Sequence, residues 1–407
     1  MGTNSDLRVS IDVGCYQHSV AIGLPDGELL EEFDLAHGPE GFDQFFGRVD
    51  KLQHHYGGSV LVAMEGYNGW ARPLDTLVRA HGYRLFNINN LKLARFKEIF
   101  PAAAKTDRID ARKGLELFQL RDHFPTARDV LQEIAATPLV NDKLKRLTRR
   151  RRALVDERSR LIARLQADLQ AVCPGLLEIT KDTDNLWFLN FLTHGDDLRK
   201  LARLRTTTIL GIAGIGRKFG TIIEHWQKTA RFSHEAEWVG PMVVEDARRV
   251  LELRRTIKAL DAACKALMQD SEIAVLTETI PGFGLTCSSE LAGEIGTIDR
   301  FDKEGSLAMY LGMANLTNRS GRQHGSKNPK HVNSRAKAAM MAAVDKHRKL
   351  VPESKRYYER KRAEGKKHNQ AIRALGRHLC RVIFAMLKHG REYELRTDNR
   401  TNWTGIT

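Results

Sequence analysis

Cysteine is scarce in this 407-residue sequence, and the five cysteines contain no Cys-x-x-Cys pair. This spacing excludes a disulfide framework and a thiolate zinc site, so we expect reduced packing residues. The sequence also lacks any run approaching 18 apolar residues, and its N-terminus has no charged segment followed by an apolar one. We therefore expect no membrane span, no secretory signal and a cytoplasmic protein. The cysteines are Cys15, Cys173, Cys264, Cys287 and Cys380.

Acidic residues are fewer than basic ones, with 50 Asp and Glu against 65 Lys and Arg, so the net charge is +15. A hydrophobic fraction of 42% is enough for two or three cores and excludes a disordered tail protein. Residues 315–382 hold 19 Lys and Arg against four acids, and residues 141–165 hold ten against three. A solvated helical face explains a single basic run. Two such segments favour binding of a polyanion, because neutralised phosphates release counterions.

The N-terminal third has the pattern of an α/β domain. Residues 7–14 and 19–24 alternate as strands, and a Pro-Asp-Gly turn leads to a third extended run, which predicts a three-stranded meander. Strand and helix patterns then alternate. The predicted elements are an amphipathic helix at 39–55, a strand at 59–65, a helix near 69–81, a strand at 83–88 and a helix beginning near Asp107.

Four acids occupy special places in this pattern. Asp12 lies inside the first strand, Glu65 ends the fourth, and Asp107 and Asp110 share one face of the last helix. Burying an uncompensated acid within an apolar strand costs several kcal/mol, so a metal ion is a natural partner for Asp12. Singly, these acids could be a turn residue, a rim residue or helix-dipole acids. Together they predict a site for two divalent ions in phosphoryl transfer.

The strings IDVG, AMEGYNGW and KTDRIDA carry these acids in order within about the first 120 residues. This arrangement resembles the RuvC-like (RNase H fold) domain of DEDD transposases of the insertion sequence 110 family, and KTDRIDA is its most specific part. The resemblance implies an RNase H-like domain in which the four acids are catalytic and bind Mg²⁺.

The middle of the chain has two apolar helical repeats. Residues 250–267 and 144–172 both show heptad seams. Arg151 and Arg158 occupy core-type positions of the 144–172 seam. An internal helical hairpin and a dimeric coiled coil explain these seams equally well. The arginines require acids or nucleic acid as partners. Residues 174–240 between the seams form an insertion without an assigned role.

The C-terminal third contains a Gly-rich turn and a candidate serine. Residues 278–296 have the pattern of a helix-hairpin-helix, and the Gly-apolar-Gly segment at 211–220 is a weaker hint of a second one; a tight structural turn explains either. A polar loop after Gly312 presents Ser320, flanked by Arg319 and Arg322, and such cations can hold a phosphate. The residues alone favour an ordinary loop serine, with Ser326 an equal rival.

The strings LGM and NRSG, followed by Asn333 and an Ala/Met-rich helix, resemble the transposase domain of the same family. That resemblance implies that Ser320 attacks DNA and forms a phosphoserine intermediate at a composite site. It also implies a homodimer or homotetramer with a bridge RNA that pairs with donor and target DNA. Ala314-Asn315 departs from the proline that is common after Leu-Gly, and the middle is longer than usual.

The expected architecture is α/β plus all-α. It comprises a RuvC-like domain (1–125), a helical coiled-coil region with an insertion (126–273), a transposase domain with a helix-hairpin-helix (274–385) and a tail (386–407). The nucleic-acid-binding residues expected are Arg149, Arg150, Arg151, Arg152, Arg319, Arg322, Lys327 and Lys330. Alternative functions are an invertase or Holliday-junction-type nuclease that uses the carboxylates only, an actin-like ATP-binding protein and an inactive nucleic-acid-binding protein.

Overall fold

A six-stranded mixed sheet organises the first 136 residues in the computed structural model of the chain. The structure describes residues 5–65, 71–99, 107–124, 130–320, 323–327, 329 and 332–395, and it divides into two units, Met1–Ala136 and Thr137–Thr407. The strands are β1 (Leu7–Val13), β2 (Gln17–Gly23), β3 (Leu29–Ala36), β4 (Val60–Glu65), β5 (Arg84–Ile88) and β6 (Leu131–Glu133). Their order in the sheet is β3-β2-β1-β4-β5-β6.

The predicted meander is confirmed, since β1, β2 and β3 pair antiparallel in chain order. Strands β4 and β5 run parallel to β1, as the predicted alternation of strand and helix requires, and β6 is antiparallel to β5. The helices of this unit are α1 (Pro39–Tyr56), α2 (Arg72–Ala80), α3 (Asn90–Lys97) and α4 (Asp107–His123). A mixed sheet with these helices is consistent with the expected RNase H-like fold.

Strand β4 divides its side chains between two cores. Val60, Val62 and Met64 are buried with apolar residues of α1 and α2, whereas Leu61 and Ala63 are buried with residues of α3 and α4. This alternation follows from the two-residue period of a strand. Both faces of the sheet centre are therefore covered by helices.

Two long antiparallel helices form the axis of the second unit. The apolar seams predicted in the middle of the chain pack against each other within this chain, with Leu154, Leu253 and Ile257 buried between them. The two seams therefore pack as a helical pair within one chain, and a coiled-coil dimer stays a prediction. The helices of this unit are α5 (Leu139–Val172), α6 (Gly175–Glu178), α7 (Leu186–Leu192), α8 (Leu198–Leu201), α9 (Thr206–Gly211), α10 (Arg217–Thr229), α11 (Ala236–Met268), α12 (Glu272–Glu278), α13 (Leu285–Ile295), α14 (Glu304–Tyr310), α15 (Ser334–Leu350), α16 (Pro352–Ala363) and α17 (His368–His389).

Separate cores lie at the two ends of the α5–α11 pair. At one end, the insertion packs its aromatic residues, including Trp187, Phe188 and Trp226, against Leu165 and Val250. At the other end, helices α12–α17 enclose the largest apolar cluster together with residues of α5 and α11. The insertion therefore folds as a cap on the helical hairpin.

Both Gly-rich turns join two helices, and in each the glycine meets another part of this chain. Gly282 has φ +94°, and a Cβ there would lie 2.6 Å from the backbone nitrogen of His347 on α15. Gly214 has φ +88°, and its Cβ would lie 3.2 Å from Cβ of Trp187. Packing inside the unit thus accounts for these two glycines. DNA binding by the α12–α13 turn stays a prediction.

The unit division differs from the predicted domain boundaries. It falls at Ala136 rather than at residue 125, because β6 pairs with β5 and belongs to the first sheet. Helix α17 continues past the predicted tail start at 386 and ends at His389, where Gly390, with φ +60°, is the C-cap. No helix among the described residues is both long enough and apolar enough to cross a bilayer.

Candidate active site and serine hairpin

The four predicted acids lie on neighbouring elements of the first unit. Asp12 and Glu65 each follow the paired residues Ile11 and Met64 on the parallel strands β1 and β4. Asp107 and Asp110 form the first turn of α4, which packs against β1. The sheet and this helix therefore bring all four carboxylates toward the same end of β1.

Asp12 experiences the combined field of the other acids. Burial, followed by repulsion from Glu65, raises the pKa of Asp12 to about 6. Asp110 and Asp107 add to this repulsion, whereas the positive charge of Lys97 opposes it. Since every acid in the group favours protonation of Asp12, the arrangement is short of positive charge.

Lys97, at the end of α3, is a member of the site that sequence reasoning missed. Its Nζ lies 2.5 Å from Oδ2 of Asp110, whose side chain is only 10% exposed. The pair spans two helices that meet through tertiary packing. Residue spacing alone contains no sign of it.

The carboxylate oxygens of these acids are suitable ligands for a hard cation, although they do not converge on a single metal position. No group of three or more His, Cys, Asp or Glu residues in the described part of the chain is close enough to hold a metal ion. Mg²⁺ prefers oxygen ligands, keeps several waters and binds through one or two carboxylates. The raised pKa of Asp12 indicates that a nearby cation would be stabilising. Mg²⁺ binding is therefore compatible with these residues.

Ion pairs fix the first turns of α4 on the edge of the sheet. Nη2 of Arg108 lies 2.8 Å from Oδ2 of Asp34, and Arg112, one turn later, pairs with Glu32 on the same strand β3. Ser19 on β2 donates a 2.7 Å hydrogen bond to Asp34. The helix that carries Asp107 and Asp110 is thus held to β2 and β3 by its basic face.

The predicted serine loop is instead a β-hairpin. Strands β7 (Leu316–Ser320) and β8 (Gln323–Lys327) pair antiparallel, and Ser320 faces Gln323 at the last pair before the turn. Ser326 pairs with Thr317 farther from the turn. Ser320 and Arg319 are described at the level of the backbone, and Lys327 is exposed. Arg322 and Lys330 lie outside the described residues.

The arginine run on α5 has acidic partners within the chain. Arg149 binds Glu294 with a shortest N–O distance of 2.7 Å, and Arg152 binds Glu290 at 2.8 Å. Both glutamates belong to α13 and are buried. Arg150 is exposed. Arg149 and Arg152 are therefore held as structural partners, and nucleic-acid binding by the run stays a prediction that depends chiefly on Arg150.

The core-type arginines of the α5 seam also find acids, as the sequence required. Arg151 lies 2.5 Å from Asp261 on α11, and Arg158 lies 3.7 Å from Asp184. The signal that could have identified the partners of Arg149 and Arg152 was the four-residue spacing of Glu290 and Glu294. Those acids are about 140 positions away, so their proximity depends on the fold.

Helices α15 and α16 present cations and tyrosines together. The guanidinium of Arg348 lies 4.1 Å from the ring centre of Tyr358, and that of Arg360 lies 5.1 Å from the ring of Tyr357. Lys355 and Arg360 are exposed. Such a surface combines positive charge with flat aromatic groups, a combination that suits nucleic acid.

Two family models match separate parts of the chain. A transposase model of the DEDD type for insertion sequence 110 matches residues 9–174, and a model described as transposase of the IS116/IS110/IS902 family matches residues 274–359. The first match spans the four carboxylates and the second spans the serine hairpin. Together they cover more than half of the sequence.

Relatives from insertion elements match over most of the chain. The 43.6 kDa protein of insertion element IS110 from Streptomyces coelicolor is 26% identical over 95% of both chains. The 42 kDa protein of insertion element IS900 from Mycobacterium paratuberculosis is 27% identical over 95% of this chain and 97% of its own. The 44.8 kDa protein of IS116 from Streptomyces clavuligerus is 27% identical over 78% of this chain and 80% of its own. With both family models and these relatives in agreement, the chain belongs to the insertion sequence 110 family of transposases, enzymes that act on DNA.

Proposed function

We propose that this transposase cuts and rejoins DNA through a phosphoserine intermediate at Ser320, assisted by Mg²⁺ at Asp12, Glu65, Asp107 and Asp110. The observation that carries the proposal is the set of four carboxylates at one end of β1, with the pKa of Asp12 raised by burial and by the other three. A cation would offset this excess negative charge. When bound, Mg²⁺ would stabilise the charge that develops on phosphate oxygens.

In the proposed reaction, the Ser320 oxygen forms a bond to a DNA phosphorus while the bond from phosphorus to one deoxyribose oxygen breaks. The serine proton leaves, and the departing oxygen gains a proton. A second strand then displaces Ser320 by the reverse exchange, so the phosphodiester energy is kept in the covalent intermediate. The position of Ser320 at the end of strand β7, directly after Arg319 in the chain, supports this role, because a neighbouring cation can hold a phosphate.

The proposed partners are donor and target double-stranded DNA and a bridge RNA that pairs with both, in a homodimer or homotetramer. Support comes from the exposed Lys355 and Arg360 beside two tyrosines on α16, and from the resemblance to the family. Any role of Arg319, Arg322, Lys327 and Lys330 in holding the scissile phosphate belongs to the same proposal.

The proposal is tested by strand cleavage of element-end DNA by the full-length protein, copurified with RNA transcribed from the flanking sequence. Asp12→Asn and Ser320→Ala should each abolish recombination while leaving DNA binding nearly unchanged. Cleavage that persists at the wild-type rate in Ser320→Ala would instead favour a nuclease or invertase that uses only the carboxylates. Recombination by Asp12→Asn would remove the metal part of the proposal.

A further inference from the structure

We infer that a buried hydrogen-bond network centred on Glu294 positions the β-hairpin that carries Ser320. Arg149, Glu294, Tyr310 and Asn333 would then be positioning residues for the serine chemistry, and this inference rests on the proposed function. The network joins α5, α13, α14 and the start of α15, all within the second unit.

The network holds the two chain segments from which the hairpin emerges. Tyr310 ends α14 six residues before β7 begins, and Asn333 precedes α15 six residues after β8 ends. The backbone nitrogen of Asn333 donates a 2.9 Å hydrogen bond to the carbonyl oxygen of Tyr310. Nδ2 of Asn333 also donates to the Tyr310 hydroxyl at 2.8 Å. The base of the hairpin is thus closed by direct contacts.

Glu294 connects this base to the long helix α5. Its side chain is 1% exposed and accepts hydrogen bonds from Nε and Nη2 of Arg149 at 2.7 and 2.9 Å. It also accepts a 2.7 Å bond from Nδ2 of Asn333, while the Tyr310 hydroxyl donates to the Glu294 backbone oxygen at 2.7 Å. Burial acts to raise the pKa of Glu294, but Arg149 and Asn333 outweigh it and lower the pKa. The carboxylate is therefore ionised and fully engaged.

Asn333 is the residue that joins this network to the following helix. Its Oδ1 accepts hydrogen bonds from the backbone nitrogens of Arg335 and Ala336, each at 3.0 Å, so it is also the N-cap of α15. An amide is suited to both tasks because its oxygen caps the helix while its nitrogen donates to Glu294. An isolated two-stranded hairpin is marginally stable, so its direction depends on how its base is held.

A second buried pair on the same helices provides a matched control. Arg152 on α5 donates to Glu290 on α13 at 2.9 and 2.8 Å, and Glu290 is 4% exposed. Among the described residues, no hydrogen bond joins this pair to Tyr310 or Asn333. A change at Glu290 should therefore perturb the α5–α13 contact without reaching the hairpin base.

The test is hydrogen exchange of the backbone amides of residues 316–327 in the full-length protein without nucleic acid. Asn333→Asp keeps a capping oxygen but removes the donor and places a second negative charge beside Glu294. Tyr310→Phe removes one hydroxyl and serves if the first variant folds poorly. We expect either change to raise the exchange rate of the hairpin amides at least about tenfold. Glu290→Gln should lower the melting temperature but leave the exchange rate of the hairpin unchanged.

The double variant Glu294→Gln with Asn333→Asp should exchange more slowly than Asn333→Asp alone, because a glutamine amide can donate to the new carboxylate, but faster than wild type, because one Arg149 N–H loses its acceptor. Unchanged exchange in Asn333→Asp and Tyr310→Phe, or an equal rise in Glu290→Gln, would overturn the inference. The rate of covalent adduct formation on an element-end duplex distinguishes failure of this inference from failure of the proposed function. Loss of adduct in Ser320→Ala, with a wild-type rate in Asn333→Asp and Tyr310→Phe, would refute the positioning role alone. A wild-type adduct in Ser320→Ala would refute the proposed function.

Discussion

Asp12 is the residue whose surroundings are most informative about the chemistry of the first unit. It lies in strand β1, inside the sheet between β2 and β4, and α4 packs against this strand with two further acids in its first turn. Burial and the neighbouring carboxylates, Glu65 first, make its ionised form unfavourable. A residue in this state either binds a proton or requires a cation.

This environment predicts how stability depends on pH without metal. The pKa of Asp12 is about 6 in the folded state against 3.8 for the ordinary side chain, so the folded protein binds the proton more tightly. Ionisation of Asp12 therefore lowers the free energy of unfolding of the protein as the pH rises from about 4 to about 6. Asp12→Asn should remove this loss and raise the unfolding free energy at pH 7, by less than the ~3 kcal/mol that the full pKa shift represents, because solvent screens this partly exposed group.

Chemical denaturation in EDTA, between pH 4 and pH 7, measures this effect. The control repeats the measurement on both proteins with excess Mg²⁺. Bound metal should weaken the pH dependence of wild-type stability, and Asp12→Asn should then be no more stable than wild type. A variant that is less stable than wild type throughout this range in EDTA would contradict the account of Asp12.

Lys97 provides a second prediction at the scale of single residues. Its ammonium group partly neutralises the acids through Asp110, and a divalent ion would compete with it for the same oxygens. Lys97→Met should therefore lower the melting temperature in EDTA and enlarge the rise that Mg²⁺ produces. Arg95→Gln, which changes an exposed cation on the same helix, is the control. An unchanged Mg²⁺-dependent rise in Lys97→Met would show that Lys97 does not compete with metal.

At the scale of elements, the packing of α4 on β1 determines whether the acids meet. Gly114 lies on the inner face of α4, and a Cβ there would overlap the hydroxyl of Ser10 on β1. The helix can approach the strand closely only because this position lacks a side chain. The same approach brings Asp110 into the field of Asp12.

Gly114→Ala should therefore destabilise the protein by about 1–3 kcal/mol and reduce DNA cleavage beyond the loss of folded protein. Gly47→Ala is the matched control, because Gly47 lies in α1 with nothing within 4 Å of an added Cβ. The control change should be neutral or stabilising by about 0.5–1 kcal/mol. Equal effects of the two substitutions on unfolding and cleavage would mean that the α4–β1 approach is not critical.

The elements that could be predicted from the sequence have strong local patterns. Strands β1 and β2 alternate clearly, and α4 begins where Asp107 was expected to open a helix. The sequence does not predict the hairpin, because LTNRS and QHGSK are short and polar, with little apolar alternation. The acidic partners of Arg149 and Arg152 could not be predicted, because the acids that engage them lie far away in the sequence.

At the scale of the whole molecule, the predicted carboxylate site and the excess positive charge belong to different units. The acids lie before residue 136, whereas residues 315–382 carry as much net charge as the entire chain. Several arginines of α5, including Arg149 and Arg152, form ion pairs with acids of the same chain. The exposed cations of α16 are therefore better candidates for contact with phosphates.

Neutralising Lys355 and Arg360 together should reduce the slope of log affinity against log salt by about 1.8, if each contacts one phosphate of duplex DNA. Fluorescence anisotropy with a random-sequence DNA duplex at several salt concentrations measures this slope. The matched control neutralises Lys200 and Arg203, two exposed cations of the insertion, and should leave the slope unchanged. An equal reduction in both variants would assign α16 to a solvated face.

The most direct test of the central claim is identification of the residue that becomes linked to DNA during strand cleavage. Reactions of the full-length protein with its RNA, Mg²⁺ and element-end DNA are stopped in denaturant, digested with protease and nuclease, and mapped by mass spectrometry. The account predicts a nucleotide remnant on Ser320 and its loss in Ser320→Ala. A remnant on Ser326 or on a tyrosine, or efficient cleavage without any covalent adduct, would contradict it.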